Sequence, residues 1–434
     1  MGRADGHWGA RADVPTPARF PGRAGYARLM TRLEREDAYL RTFASELLQT
    51  RDDEAGQWWR LQESAFYATG GGQPHDEGTL APIDALGDEG PTWRVAGVEA
   101  LDDQVWHRVE ADQPKGQAPP LGSRLRGRID WARRFRHMQR HTAQHLLSQA
   151  FVRVDPAFAT RSVGLASPDV TLDLAGEPGD DAVAEALALA NEAATQALPV
   201  TAFEVDESEL HAYPLRRPPK VSGRVRLVRM GDWELSACGG THLRSTAEAL
   251  PLLALGRERI RSGLTRVTFR AGLEAVASAS ATFAAAAAAA RSLSTNVAEL
   301  PERVLALQAD ATAARRELAH ARKALAAERA AVLAPIPGAV VAVTLPAEEA
   351  ALTTLLADAV AARGASAAVG APQGEQGFLV VASGAGVDVR PALQAGLALL
   401  EGRGGGKPER AQGAGPARAR LSDAVEAAAR ALRP

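Results

Sequence analysis

The sequence predicts a mixed α+β protein of several domains. Three patterns along its 434 residues lead to this prediction. Short alternating apolar runs fill the first third, strand and helix patterns mix in the middle, and an alanine-rich helical stretch is followed by alternating strands and helices. The apolar content of 46% allows sizeable cores, and a chain of this length is expected to divide into roughly two to four domains.

The N-terminal part divides near Met30. Residues 1–29 show no apolar periodicity, so we expect a disordered extension whose deletion leaves stability and activity unchanged. Between residues 30 and 120, apolar runs such as Trp58–Gln62 and Thr92–Glu99 are separated by clusters of Gly, Pro and Asp. That pattern is typical of strands joined by turns, and it predicts a small β-barrel-like domain over 30–120.

Residues 121–273 combine both kinds of element. A strand-like segment, RLRGRID, begins at Arg124 and precedes a helix predicted over 133–152. A second predicted helix covers 181–197, and two strand-like runs rich in valine follow it. The order predicts an α+β domain in which helices pack on an antiparallel sheet.

The last third is predicted to contain a helical segment and a closing domain. Over 274–335 the alanine-rich sequence predicts two helices, and from Leu300 to Leu325 apolar residues alternate spacings of four and three, as in a coiled-coil seam. The helices can fold back as a hairpin or pair between chains as a homodimer. Strand and helix patterns over 336–434 predict a compact α/β domain.

Charge and cysteine content restrict the class of protein. The net charge is −2, and the sequence has no run of 18 uncharged apolar residues and no N-terminal signal pattern. We therefore expect a cytoplasmic protein without a membrane partner. The single cysteine, Cys238, cannot form an intrachain disulfide, so it is either a buried thiol or a residue with chemistry.

Two residue pairs predict a metal site. His141 and His145 are one helical turn apart, so both imidazoles can bind one ion. Cys238 and His242 are separated by two glycines and a threonine, which lets the backbone aim both side chains at one point. Three nitrogens and one sulfur suit one Zn²⁺ per chain. Thr142 follows the first histidine where a zinc peptidase has Glu, which excludes that class; whether the ion is catalytic or structural stays open.

The loop from Phe66 to Gly78 is the third motif. Gly70, Gly71 and Gly72 allow a ligand to approach the backbone closely, and Gln73 offers an amide donor and acceptor. The alternative is a plain β-turn between strands. His75 is interpreted as a loop histidine and not as a metal ligand.

Arginines cluster beside both halves of the predicted metal site. A substrate rich in phosphate, and nucleic acid in particular, would explain such clusters, although charge runs are usually solvated faces. The first run leads to His141 and contains Arg136, which we assign to substrate binding. The full sets are Arg124, Arg126, Arg128, Arg133, Arg134, Arg136 and Arg140, and then Arg216, Arg217, Lys220, Arg224, Arg226 and Arg229.

A second glycine-rich segment, GRGGGKP, begins at Gly402. Its backbone N–H groups are predicted to wrap a phosphate, with Arg403 and Lys407 as additional contacts. Pro408 stands where a nucleotide-binding loop needs Ser or Thr, so we expect no ATP binding.

The three motifs in this order, GGGQPxDxG, HxxxH and CGGTH, resemble the editing half of alanyl-tRNA synthetase and its free-standing relatives, the AlaX proteins. The resemblance covers about residues 30–434, because the helical stretch and GRGGGKP are similar to the linker and the DHH-associated C-terminal domain of the long members. It implies that His141, His145, Cys238 and His242 hold zinc and that residues 70–74 are the family's glycine-rich loop. Ala68 and Thr69 depart from the family's frequent Pro and Glu, which puts only the fine substrate preference in doubt.

The resemblance also implies a function. The protein is expected to deacylate tRNA(Ala) that carries a wrong amino acid, serine above all and glycine as a second substrate, with Gln73 and Thr142 contacting the serine hydroxyl. The region before Phe66 contains no counterpart of the synthetase's ATP-binding motifs, so aminoacylation is not expected. Threonyl-tRNA synthetase editing domains share the histidine and cysteine pairs, but the GGGQP loop favours the alanyl branch. Two alternatives stay open: a DHH-type phosphoesterase, disfavoured because the upstream carboxylate and histidine cluster is missing, and a non-catalytic tRNA-binding protein with structural zinc.

Overall fold

A computed structural model describes residues 31–101, 104–111, 118–216 and 223–433. It has the predicted mixed α+β character, and its contacts separate two compact units, Met1–Ala286 and Ala287–Pro434. The predicted extension over 1–29, the start at Met30, and Arg217 and Lys220 all lie outside the described residues.

The first unit begins with a closed β-barrel, in the strand order β2-β3-β7-β6-β5-β8. Its interior is apolar and includes Trp59, Phe66 and Leu125, all fully buried. Ahead of the barrel, β1 pairs in parallel with β4. The bounds are β1 (Thr31–Arg32), α1 (Leu33–Glu36), β2 (Thr42–Asp53), β3 (Gly56–Leu61), β4 (Glu63–Ser64), β5 (Gly78–Pro82), β6 (Trp93–Leu101), β7 (Gln104–Ala111) and β8 (Arg124–Ile129).

The placement of β8 corrects the sequence interpretation, which put this strand in the following domain. It pairs with β2 and with β5 and so closes the barrel. Leu125 and Ile129 of β8 lie in the barrel core, whereas Arg124 and Arg128, on the other face of the strand, are exposed. A Cβ at Gly127 would lie 2.3 Å from the Phe43 ring, so the close approach of β2 needs glycine there.

The long helix α2 (Trp131–Val154) follows directly and carries the first half of the predicted metal site. The Asp130 carboxylate caps it by accepting a hydrogen bond from the Arg133 amide at 3.0 Å. From His137 to Ser148 every residue of the helix is buried, so it runs through the core of the unit.

Two sheets and helix α3 surround α2. One sheet has the order β14-β15-β10-β9 and the other β11-β12-β13. The apolar core between α2, α3 and the first of these sheets contains Leu146, Phe151 and Phe269. The bounds are β9 (Thr160–Gly164), β10 (Val170–Ala175), α3 (Asp180–Thr195), β11 (Val200–Asp206), β12 (Arg224–Met230), β13 (Glu234–Ala237), β14 (Leu252–Arg261) and β15 (Leu264–Ala271).

Helix α4 (Gly272–Ser292) and helix α5 (Leu300–Leu333) occupy the stretch predicted to be helical. By length and composition only, α4 is apolar enough to cross a membrane, which is weak evidence of location for a single helix. In α5 only Ala326 and Ala330 are buried among the described residues. The helices are as predicted, whereas their pairing in a coiled coil stays a prediction.

The second unit is an α/β sheet with helices on both faces. Its strand order is β16-β17-β18-β20-β19. Alternate residues of β18 serve different cores: Leu379 and Val381 pack with α7 and α8, and Val380 packs with α6 and the end of α5. The bounds are β16 (Val340–Thr344), α6 (Thr353–Ala361), β17 (Ser366–Gln373), β18 (Gln376–Ser383), α7 (Arg390–Leu400), β19 (Arg403–Lys407), β20 (Arg410–Gly415) and α8 (Leu421–Ala431).

The segment GRGGGKP forms an edge strand. The sequence had predicted a loop whose backbone N–H groups wrap a phosphate, and the strand corrects that prediction. β19 pairs with β20 from Arg403 to Lys407, so those backbone groups that face β20 are used by the sheet. A Cβ at Gly404 would lie 2.4 Å from the Gln412 carbonyl, which explains glycine at that position without a ligand. Short 3₁₀ helices elsewhere in the chain cover Glu207–Ala212, Thr246–Ala249, Ala347–Leu352 and Arg418–Arg420.

Candidate metal centre

The structure brings the two predicted pairs of ligands together. The ligand atoms of His141, His145, Cys238 and His242 all lie within 4.8 Å of one another. Helix α2 presents the two histidines on one face, and the turn after β13 presents the cysteine and the third histidine. A Cβ at Gly240 would lie 2.2 Å from Cε1 of His141, so the turn can reach the helix only with glycine there.

Each imidazole of the cluster has its Nδ1 next to a different protein group. His141 Nδ1 donates to Gln73 Oε1 at 2.8 Å, and His145 Nδ1 donates to Glu234 Oε2 at 2.8 Å. His242 Nδ1 lies 3.4 Å from Thr142 Oγ1. The Nε2 atoms of His141 and His242 are both 3.3 Å from the Cys238 sulfur. The acceptor oxygens at Nδ1 of His141 and His145 orient both rings so that Nε2 is the nitrogen available to a metal ion.

Gln73 links the glycine-rich loop to the metal-ligand turn. Its side chain is fully buried, and its Nε2 donates to Thr241 Oγ1 at 2.8 Å while its Oε1 accepts from the Thr241 amide at 3.1 Å. The loop is a tight turn closed by Gly70 and Gln73, whose amides each donate to the other's carbonyl. Gly71 and Gly72 adopt φ of +57° and +85°, a region that favours glycine.

Thr142 is also fully buried, and its hydroxyl accepts from the Leu243 amide at 3.1 Å. The side chains of Gln73 and Thr142 thus both have protein partners beside the ligand histidines. Their expected contact with a serine hydroxyl stays a prediction.

Glu234 is a site residue that the sequence interpretation missed. Its side chain is fully buried between His145 and Arg216, whose Nε donates to Oε1 at 2.9 Å. The sequence contained one indication of its role: residues alternate between the two faces of β13, so Glu234 and Ser236 lie on the same face as Cys238, which follows the strand. Without the contact to His145, this alternation alone does not distinguish an orienting carboxylate from a surface one.

A buried ion pair holds the loop and α2 together. Arg134 Nε donates to both Asp76 oxygens at 2.9 Å, and the Asp76 carboxylate also accepts from the Tyr67 amide at 2.7 Å. Arg134 Nη1 donates to the Ala38 carbonyl at 2.7 Å. Because both charged side chains are fully buried, Arg134 is a structural arginine and cannot contact phosphate.

Most of the other clustered arginines also have protein partners. Arg126 and Arg128 bind Glu89, Arg133 binds Glu77, and Arg140 donates to Glu274 at 2.7 Å. In the second run, Arg224 pairs with Glu204, and Arg226 Nη1 donates to the Cys238 and Gly240 carbonyls. Arg136 is exposed and, within the described part of the chain, has no ion-pair or hydrogen-bond partner.

The electrostatics of the cluster favour a thiolate at Cys238 and a neutral ring at His242. Burial would raise the pKa of the Cys238 thiol, but His141 and His242 outweigh burial and hold it well below its ordinary value. Burial and the neighbouring His141 lower the pKa of His242 to about 3, so this imidazole is neutral. Burial also disfavours the charged form of His145, yet Glu234 raises its pKa to about 9. A thiolate and imidazole ligands can together bind a metal ion.

The remaining predicted residues fall outside the cluster. His75 Nδ1 lies 3.1 Å from the Thr69 hydroxyl, in the loop and away from the ligand set. Arg403 and Lys407 lie at the two ends of β19 in the second unit, both with exposed side chains.

Comparisons with known proteins agree with the motifs. The family model described as "Threonyl and Alanyl tRNA synthetase second additional domain" matches residues 225–268, which include Cys238 and His242. Alanine–tRNA ligase of Pyrococcus abyssi is 34% identical over 255 residues, or 56% of this chain and 26% of that protein. The ligase of Pyrobaculum arsenaticum is 35% identical over 252 residues, or 56% of this chain and 27% of that protein.

This chain therefore spans about a quarter of the length of these relatives. A solved structure, the C-Ala domain of Aquifex aeolicus alanyl-tRNA synthetase, is 21% identical and covers 21% of this chain and 88% of that domain, with a TM-score of 0.20 that does not establish a shared fold. The chain thus contains an alanyl-tRNA synthetase-related second additional domain and is homologous to alanine–tRNA ligases over 56% of its length.

Proposed function

We propose that the protein is a zinc-dependent hydrolase that removes serine, and glycine as a second substrate, from mischarged tRNA(Ala). The observation that supports this most strongly is the cluster of three histidines and one cysteine, whose imidazoles are held by Gln73, Glu234 and Thr142. Homology to alanine–tRNA ligases over 56% of the chain, together with the family model that matches residues 225–268, supports tRNA(Ala) as the RNA.

Zinc fits the residues that are present. Imidazole and thiolate are borderline and soft ligands, which disfavours magnesium and calcium, and three nitrogens with one sulfur match tetrahedral zinc. Bound zinc would supply a Lewis acid for the ester carbonyl or for a water molecule. Cys238 is only partly buried as a residue, whereas the three histidines are buried.

The division of labour among the residues follows from their contacts. Gln73 and Glu234 keep the ligand imidazoles oriented, and Gly240 lets the turn approach α2. Arg136 is an unpaired exposed arginine on α2 and suits a phosphate near the RNA terminus, while Arg403 and Lys407 offer further cations on β19. We place the reaction in the cytoplasm, without ATP and without a membrane.

Selection against the wrong amino acid explains why such an activity is needed. A synthetase pocket for alanine excludes smaller glycine weakly and serine poorly, so hydrolysis at a second site raises fidelity. In this proposal the protein acts in trans as a free-standing editing enzyme of the AlaX type.

The competing proposal is a non-catalytic tRNA-binding protein with structural zinc. It is supported by the four protein ligands, because a catalytic zinc usually keeps one position for water or substrate.

Metal analysis with a deacylation assay on labelled Ser-tRNA(Ala) tests the proposed function. The purified protein should contain one zinc and release serine. Cys238→Ala and His145→Ala should each lose most zinc and most activity, because each removes a ligand. His75→Ala is the matched control and should keep both.

Stoichiometric zinc in the double variant Cys238→Ala/His145→Ala, or full activity of the metal-free protein, would contradict the proposal. Zinc bound without any serine release would favour the structural alternative.

A further inference from the structure

His137 lies on α2, one helical turn before the ligand His141. Residues at this spacing are neighbours on one face of a helix, with their Cβ atoms about 5–6 Å apart. His137 is 4% exposed, and neither of its ring nitrogens makes a hydrogen bond within the part of the chain that the structure describes. His141 and His145 on the same helix both have partners, so the unpaired ring of His137 is exceptional.

The glycine-rich loop lies along this part of α2 and is fixed to it at two points. His141 Nδ1 donates to Gln73 Oε1 at 2.8 Å, and Arg133 Nε donates to the His75 carbonyl at 3.2 Å. Arg133, His137 and His141 follow one another at intervals of four residues. His137 therefore lies between the two points at which the loop is held, next to the ligand cluster.

The two nitrogens of the His137 ring differ in their surroundings. Nδ1 is completely buried, whereas Nε2, which also has no partner, retains contact with solvent. Pro74 is the loop residue between the two fixed points, and it has no amide hydrogen to donate to Nδ1. A neutral imidazole has one N–H group and one lone pair. With the proton on Nε2, only a lone pair is left unpaired in the interior, and Nε2 offers a donor to a ligand.

The charged groups along this face of α2 leave one positive charge without a counter-charge. Arg133 and Arg140, four residues before and three residues after His137, are each paired with a glutamate. Arg136, which precedes His137, is exposed and has no ion-pair partner among the described residues. A phosphodiester has a single negative charge and oxygens that accept hydrogen bonds, so it suits both Arg136 and Nε2 of His137.

The charge state of the ring favours binding over proton transfer. Burial, followed by the positive charge of Arg140, lowers the pKa of His137 to about 3. The ring is therefore neutral at neutral pH, and so weak a base is poorly matched to accepting a proton from a hydrolytic water. Its N–H group still forms a charge-assisted hydrogen bond with an anionic oxygen.

We infer that Nε2 of His137, together with the Arg136 guanidinium, binds the phosphate on the 5′ side of the nucleotide that carries the aminoacyl ester. This inference rests on the proposed function and names the part of the RNA that the same site holds. One helical turn separates His137 from His141, a distance of the same order as the span from the 3′-oxygen to the 5′-phosphate of one nucleotide. An ester carbonyl at the cluster therefore brings this phosphate next to His137.

The test compares two ligands that differ only in this phosphate. One is a non-hydrolysable 3′-serylamide of adenosine, and the other is the same compound with a 5′-methyl phosphodiester. Both are titrated into the zinc-loaded full-length protein, into its variants His137→Leu and His137→Gln, and into the control His211→Leu, which changes an exposed histidine outside the cluster. Leucine removes both nitrogens, whereas glutamine keeps an amide donor near the position of Nε2.

We expect the wild type to bind the phosphodiester on the order of 100-fold more tightly than the unphosphorylated analogue, because two charge-assisted contacts are added. His137→Leu should reduce this preference by about tenfold and keep the wild-type affinity for the unphosphorylated analogue. His137→Gln should retain more of the preference than His137→Leu, and His211→Leu should equal the wild type. An equal loss on both analogues, or a wild type without preference, would overturn the assignment.

Kinetics and thermal unfolding give two further readouts for His137→Leu. On Ser-tRNA(Ala) the variant should have a raised KM and an unchanged kcat, because a binding contact is lost. Leucine replaces a buried polar ring that has no partner, so the variant should unfold at a temperature no lower than that of the wild type. A markedly lower unfolding temperature would show that the ring supports the fold, and would contradict a ring kept unpaired for a ligand.

The titration separates this inference from the proposed function. A phosphate preference that depends on His137 supports the contact even if serine is not released, in which case only the hydrolase proposal fails. Serine release without that preference removes only the His137 contact. A protein that binds neither analogue contradicts both.

Discussion

At the scale of the residue, the cluster of candidate metal ligands is held by side chains that are not themselves members of it. Glu234 orients His145, and Gln73 orients His141. Groups in these positions keep a ligand's lone pair directed at the metal and raise its basicity. The candidate site is therefore larger than the four ligands that the motifs contain.

Removing the Glu234 charge should weaken zinc binding without abolishing folding. We expect Glu234→Gln to lower zinc affinity by about 10- to 100-fold, because His145 loses a charged partner that also raises its pKa. Competition with a chelator of known affinity measures the change. Glu192→Gln, an exposed position on α3, should leave affinity unaltered. Equal affinities of Glu234→Gln and the wild type would show that Glu234 serves only Arg216.

A second residue-scale prediction concerns His107 inside the barrel. Ser64 Oγ donates to its Nε2 at 2.7 Å, and its Nδ1 donates to the Trp59 carbonyl at 3.0 Å. Burial lowers its pKa to about 4, so the folded state favours the neutral ring. The unfolded chain, with a histidine pKa of about 6.5, binds the proton first as the pH falls.

His107 should therefore destabilise the protein progressively between about pH 6.5 and pH 4. The change is about 3 kcal/mol at most, from the difference between the two pKa values. Urea unfolding of the wild type and of His107→Gln across this range measures it. The variant should show a shallower loss of unfolding free energy with falling pH; parallel curves would mean that folding does not lower the pKa of His107.

At the scale of the element, β19 shows how a motif can have a structural explanation. Its glycines allow close pairing with β20, while its two end residues, Arg403 and Lys407, stay exposed. The two exposed cations of β19 are therefore the groups that we expect to contact phosphate.

Replacing both cations should weaken RNA binding in a salt-dependent way. For Arg403→Ala/Lys407→Ala we expect the slope of log affinity against log salt to fall by about two, one for each lost phosphate contact. Filter binding of tRNA(Ala) at several salt concentrations measures the slope. Arg430→Ala/Arg433→Ala removes the same charge near the end of the chain and should not change it. Identical slopes for the two double variants would exclude β19 as an RNA contact.

At the scale of the whole molecule, the proposed chemistry belongs to the first unit. The His/Cys cluster and the glycine-rich loop both lie within Met1–Ala286. Arg140 of α2 donates to Glu274 in the first turn of α4, so this unit includes the start of that helix.

A chain that ends at Ala286 should keep hydrolysis and lose RNA affinity. We expect an unchanged kcat on Ser-tRNA(Ala) and a KM raised on the order of tenfold, because the cations of β19 are removed. A chain that ends at Leu273 is the control: it lacks Glu274, leaves buried Arg140 without its carboxylate, and should be less stable. Steady-state kinetics with thermal unfolding measures both. A folded Ala286 chain that is inactive at saturating tRNA would show that the second unit takes part in catalysis.

The periodicity of apolar residues along the sequence was sufficient to predict many of the helices and strands. The helix predicted over 133–152 is Trp131–Val154, and the one predicted over 181–197 is Asp180–Thr195. Apolar spacing along one element is a local property, so one sequence contains it. The four candidate metal ligands were recognisable for the same reason. His141 and His145 are four residues apart, and two glycines follow Cys238, so each pair is visible within one short segment.

Only the tertiary structure decided which residues meet across the chain. Gln73 reaches His141 across 68 residues, and Glu234 reaches His145 across 89. Contacts between distant residues also explain the other differences from the sequence interpretation. Strand β8 closes the barrel, most of the clustered arginines have protein partners, and GRGGGKP pairs with β20 as an edge strand. Such contacts depend on how elements pack in three dimensions, and neither hydrophobic period nor spacing within a segment contains that information.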